Sequence, residues 1–261
     1  MFFPLMKTEG LEGFVELLYS PPNNWENRIR KEVFLYLVWS DGLVWKTELL
    51  VTLKYGEFFK ITTKEVSKEK MGNGLALIYP SREKLLANLA QLPNKETWTS
   101  HIPEWRNTTG FSNEWAQTSY QGEVIPLPPK GNLLTFHPFI QYGSVANKLL
   151  VLNLSNNPEI KSSQIHLLNS SNKELKGSET VKTNSVTTLE LDKYGFKPNE
   201  LPVFYSPEMA GIPFGLCISD DQKMLSMEHT HPPASFVLFG NRIKAQSLIK
   251  KNWITSLMGT K

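Results

Sequence analysis

Cysteine is almost absent from this chain: of 261 residues only Cys217 carries a thiol. A disulfide framework is therefore excluded, and so is a zinc cage built on cysteines. Arginine is scarce too. Arg28, Arg30, Arg82, Arg106 and Arg242 are the only five among 28 basic residues, and the formal net charge is +3. Phosphate and base-edge readers draw on the arginine fork, so this balance speaks against a nucleic-acid partner. No apolar run is long enough to cross a bilayer as a helix, and no membrane span is expected. The opening Met1-Phe2-Phe3-Pro4-Leu5-Met6-Lys7 has no basic lead-in and is broken by Pro4. No secretory leader is read there, and the cytoplasm is the expected location. Gly-x-Ser-x-Gly elbows and Walker loops are missing. Gly72-x-Gly74 lacks the third glycine of a dinucleotide loop.

What is present is apolar material for real cores, 40% of the residues, and a dominance of strand signals. Val33–Trp39 is a continuous β-favouring run, and Asp41-Gly42 after it suits a tight hairpin turn into a second run, Leu43–Leu53. Further strand runs are read at Phe58–Val66, Leu75–Tyr79, Lys148–Leu154, Gln164–Leu168, Ser185–Leu191, Phe214–Ser219, Met224–Glu228 and Ser235–Phe239. Asp220-Asp221 is read as the turn between two of them. Only two stretches have helical spacing. Ser81–Leu92 can start on a serine cap, and Asn241–Leu257 sets Ala245, Leu248, Ile249 and Trp253 on one stripe.

The pattern predicts an all-β fold of two tandem β-sandwich, immunoglobulin-like domains. The first covers 8–95 and the second 146–261, ending in the C-terminal helix; an aromatic, proline-containing segment, 96–145, connects them. A weak internal repeat supports the division. Leu49–Gly56 resembles Thr188–Gly195, and Met71–Ile78 resembles Met209–Ile218.

The connecting segment is the first candidate site. A flexible linker is poor in aromatics, whereas this one holds Trp105, Trp115 and Tyr120 among Arg106, Gln121, Glu123 and His137. Flat rings mixed with amide, guanidinium and carboxylate groups suit a small polar ligand such as a saccharide, held in an interdomain crevice. The second candidate is Glu228-His229-Thr230-His231-Pro232. On a strand, period-2 alternation puts His229 and His231 on one face, where both imidazoles can share a divalent metal: zinc, iron or manganese. A third ligand has to come from elsewhere, with His137 or His101, both in the connecting segment, the candidates. Pro232 also allows a plainer account, in which the pair only hydrogen-bonds backbone at a strand end.

Three function classes follow. The first is a non-catalytic protein binding a saccharide-like ligand. The second is a metal-dependent hydrolase or isomerase using His229 and His231. The third is an assembly protein meeting another chain, or a second copy of itself as a homo-oligomer, through strand edges and aromatics.

Overall fold

The computed structural model describes residues 2–20, 32–93, 105–126, 135–136 and 140–229, with Leu248, Lys251, Asn252, Thr255 and Ser256 beyond them. The protein is mainly β, and among the described residues the strands fall into four antiparallel sheets. They belong to two compact units. The first is Met1–Ile125 with Asn156–Glu159; the second is Pro126–Ser155 with Ile160–Lys261. The division thus falls inside the aromatic segment 96–145.

In the first unit the strands are β1 Phe3–Met6, β2 Glu12–Tyr19, β3 Glu32–Ser40, β4 Trp45–Lys54, β5 Phe58–Thr62, β6 Leu75–Ser81, β7 Asn88–Leu89, β8 Trp105–Ser112 and β9 Gln117–Tyr120. One sheet has the order β1-β6-β3-β4-β7 and the other β5-β2-β8-β9. Both feed a single core: Phe3, Leu35, Leu37 and Ile78 from the first sheet meet Val15, Leu17, Ile61 and Trp105 from the second. Each such side chain, fully buried, contributes about 1.5–3 kcal/mol. The unbroken run in β3 has its own cause. Its alternate residues Tyr36 and Val38 are buried too, so both faces of the strand are covered, which a strictly alternating strand could not sustain. Part of that cover is residues 85–92. The Leu85 amide donates to the Tyr36 hydroxyl at 3.0 Å, and the Thr47 amide to the Ala87 carbonyl at 3.0 Å. Asn156–Glu159 adds to it, with the Asn156 carbonyl accepting from Trp45 Nε1 at 3.0 Å and from the Leu92 amide at 3.1 Å.

The second unit holds β10 Thr135–Phe136, β11 Val145–Asn153, β12 Ser162–Asn169, β13 Glu174–Lys182, β14 Ser185–Glu190, β15 Pro202–Tyr205, β16 Ile212–Ser219 and β17 Leu225–His229. Its sheets are β10-β15-β12-β13 and β14-β11-β16-β17. Leu149, Val151 and Leu189 from one sheet share a core with Ile165, Leu167, Val181 and Phe204 from the other. After β14 a single 3-10 turn, Leu191–Tyr194, ends at Gly195, whose φ of 60° places it in the left-handed region where glycine is least strained.

Numbered within each unit, with the two-residue β7 set aside, the two orders coincide: first-sixth-third-fourth in one sheet and fifth-second-seventh-eighth in the other. The repeat is therefore real as topology, but not in the register read from the sequence. Leu49–Gly56 runs off the end of β4 and Thr188–Gly195 runs from the end of β14 into the 3-10 turn; these are a fourth and a fifth strand. Likewise Met71–Ile78 leads into β6, a sixth strand, while Met209–Ile218 leads into β16, a seventh. Those matches are chance likenesses between unlike strands. The residues between β6 and β8, which include β7, also exceed the short link from β15 to β16 and throw a fixed offset out of step.

The expected helix at Ser81–Leu92 does not form. Ser81 ends β6, and its hydroxyl bonds the amide and carbonyl of Glu83 at 3.1 and 2.6 Å. Asn88–Leu89 pairs with β4 instead. Leu86, which in a helix would share a face with Leu89, is 75% exposed. Partners supplied by β3 and β4 outweigh the local helical pattern. Of the expected C-terminal helix, Leu248, Lys251, Asn252, Thr255 and Ser256 are helical and exposed; its other residues, and Ser235–Phe239, lie outside the described residues.

Candidate functional site

The β8–β9 hairpin carries four of the sequence candidates, Trp105, Arg106, Trp115 and Tyr120, and strand alternation separates them. On β8, Trp105, Asn107, Thr109 and Phe111 share the face that looks into the core, while Arg106, Thr108 and Ser112 share the other. Trp105 is 8% exposed, with its ring 4.9 Å from Tyr19 and 6.3 Å from Phe3. It is a core residue. Tyr120, opposite Thr109, is buried as well. Burial, with the Glu123 carboxylate adding to it, pushes its phenol well above the ordinary value. Trp115 sits at the hairpin tip and is 61% exposed, in a turn built by Asn113, whose Oδ1 accepts from the Trp115 and Ala116 amides at 2.9 and 2.8 Å. Gln121 is exposed and Glu123 half-buried on the run that follows β9, where Val124 pairs with Phe2. Arg106 and Trp115 therefore stand near opposite ends of the strand, and the structure does not bring the aromatic candidates together.

What it does gather is a polar row on the outer face of the β5-β2-β8-β9 sheet. Glu16 on β2 accepts from Lys60 on β5 at 2.9 Å and from the Thr108 hydroxyl on β8 at 3.0 Å. Lys60 also lies over the Phe14 ring, 5.2 Å from its centroid. One row along stand Phe58, Leu18 and Arg106, paired across the same three strands. Phe58 is 59% exposed and Arg106 is exposed. Sequence reasoning reached Arg106 alone, because the rest of the cluster comes from strands distant in the chain. Glu12 and Glu16, which period-2 geometry puts on one face, are the signal that could have marked that face of β2 as carrying polar groups.

His229 ends β17, half-buried, with its ring edge-on to Phe214 at 6.0 Å. His231, His137 and His101 lie outside the described residues. Among the described residues, no three His, Cys, Asp or Glu side chains gather as a metal-binding group. Cys217 is half-buried, its Sγ 3.3 Å from Asn147 Oδ1. Burial holds its thiol above the usual value, opposite to the lowering that activates a thiolate. No helix among the described residues is long and apolar enough to cross a membrane. No protein-family model, curated protein or solved structure matches the chain.

Proposed function

We propose that the protein is a non-catalytic binding protein that takes a polar ligand such as a saccharide on the outer face of the β5-β2-β8-β9 sheet. The supporting observation is the row Lys60, Glu16 and Thr108 beside Arg106 and Phe58: fixed donors and acceptors next to an exposed ring. A sugar needs that mixture, since its hydroxyls seek directed hydrogen bonds and its apolar face seeks a flat partner. The scaffold in this reading is a pair of sandwiches related to the immunoglobulin type. The pairs second-fifth and third-sixth are those of an immunoglobulin, but the first, fourth and seventh strands each lie in the opposite sheet from that of a constant-type domain. The ligand class is the one expected from sequence; its place moves from the rings of Trp105 and Tyr120, which pack inward, to a solvated sheet face.

Glycan-array screening of the full chain, followed by calorimetry on any hit, tests this. Arg106→Ala and Phe58→Ala are each expected to weaken binding about tenfold or more, near 1.4 kcal/mol, with unchanged melting. Full affinity in both variants, or a blank array, would overturn the reading.

A further inference from the structure

The second unit carries a hollow at one end of the β14–β11 pair. It encloses about 120 Å³, is open on one side, and is walled by Ile140, Tyr142, Gly143, Asp192, Gly195 and Phe196. Two chain segments meet there, the run entering β11 and the 3-10 turn leaving β14, and Asn147 ties them together. Its Nδ2 donates to the Gln141 carbonyl at 2.9 Å and to Asp192 Oδ1 at 3.0 Å. Its Oδ1 accepts from the Gln141 amide at 2.9 Å, and its own amide donates to Asp192 Oδ2 at 2.8 Å.

Asp192 is thereby fixed in place by neutral donors that orient the carboxylate without cancelling its charge. Each oxygen accepts one bond and keeps a second lone-pair direction. The nearby cations are engaged elsewhere, Lys193 with Glu179 and Lys148 with Glu190 at 3.1 Å. Among the described residues, Asp192 makes no ion pair. The Tyr142 hydroxyl donates to the Lys197 carbonyl at 2.8 Å, which holds that wall in position. Burial and then the Glu200 carboxylate push the Tyr142 phenol upward.

A hard metal ion does not fit these walls. It would need several oxygen ligands, and Asp192 is the only acidic side chain among the residues that line the hollow. A cation with its own apolar surface fits better: its charge faces the carboxylate and its carbon atoms face the rings. We propose that this hollow binds an organic ammonium group, with Asp192 supplying the counter-charge and Tyr142 and Phe196 the aromatic walls. The site is in the second unit and stands independently of the sugar reading in the first.

The test is a titration of the full chain with n-butylammonium and tetramethylammonium chloride, against sodium chloride at matched ionic strength. The Gly143 and Gly195 amides are followed by NMR. Saturable shifts with a millimolar dissociation constant are expected for at least one organic cation. A preference for butylammonium assigns the site to lysine-like amines, and one for tetramethylammonium to methylated head groups. Asp192→Asn, which keeps shape and loses charge, is expected to weaken binding about tenfold. Tyr142→Ala, at a half-exposed position, is expected to weaken it several-fold while melting stays unchanged, and it decides the matter if Asp192→Asn loosens the turn. Shifts no larger than those in sodium chloride, or organic-cation binding that survives both substitutions, would overturn the proposal.

Discussion

The two units share a strand order yet close the same corner in opposite ways. Aligned on the last pairs of the second and fifth strands, Phe14 with Thr62 and Lys148 with Glu190, the position of Gly13 corresponds to that of Asn147. In the first unit a side chain has no room there, because a methyl built on Gly13 would overlap the Met6 carbonyl. The backbone of β1 fills the corner directly. In the second unit the corner is filled by the Asn147 amide, which spans to Gln141 and Asp192 and leaves a hollow beside them. One residue further along the fifth-strand turn, the charge is reversed: Lys64 is paired with Glu12 at 2.8 Å, whereas Asp192, among the described residues, accepts from the backbone and side-chain amides of Asn147. A repeated scaffold thus fixes where a corner lies, and a few side chains decide whether it is sealed or open.

Placing the second unit's residue in the first is the severest way to break this comparison. In Gly13→Asn the new Cβ displaces the Met6 carbonyl, which cannot retreat without disturbing the pairing of β1 with β6. The expected loss is roughly 3 kcal/mol or more, confined to the first unit. Hydrogen exchange resolves it by unit: protection should fall in β1, β2 and β8 and hold in β11, β14 and β16. Undiminished protection in the first unit would show that the corner is not sealed by backbone.

The reverse change is milder because it removes contacts without forcing a clash. Asn147→Ala deletes the bonds of the amide group and strands the Gln141 carbonyl and amide, while the backbone bond to Asp192 remains. Buried groups left without partners cost about 1–3 kcal/mol each before relaxation. A loss near 2–3 kcal/mol is expected, with faster exchange at Gln141 and Gly143. A thermal shift within error would mean that Asn147 merely fills space.

How much of this was legible beforehand follows from the reach of each signal. The β3–β4 hairpin could be read because its cause is local. Val33–Trp39 is apolar throughout, and Asp41 Oδ1 accepts from the Leu43 and Val44 amides, both at 2.9 Å, within the turn itself. The Ser219–Lys223 turn was legible for the same reason, with Asp221 bonding Ser219 and Lys223. Strands β8 and β13 escaped notice, since Arg106-Asn107-Thr108-Thr109-Gly110 and Lys176-Gly177-Ser178-Glu179-Thr180 are polar runs whose partners lie far away in the chain. Asn147 and Asp192 escaped it altogether. They are 45 residues apart, and nothing in either neighbourhood marks them as partners.

The reversed charge at the corner provides the finest test. Glu12 has its carboxyl held below the ordinary range, first by the hydrogen bond from Lys64 and then by the one from Thr62. A carboxyl lowered by folding stabilises the folded state above its unfolded value, and that contribution is lost as pH falls through the lowered one. Lys64 is largely exposed, so solvent screens the pair and the effect is small. Lys64→Ala is expected to cost the first unit about 0.5 kcal/mol or less at neutral pH. The gap should shrink with added salt and close below the carboxylate range, where wild type and variant both carry a protonated Glu12. Denaturant melts at neutral and acid pH, read through first-unit amides, check the sign. A gap that persists in acid would assign the contribution of Lys64 to packing of its stem rather than to its charge, and the contrast with Asp192 would then be one of shape alone.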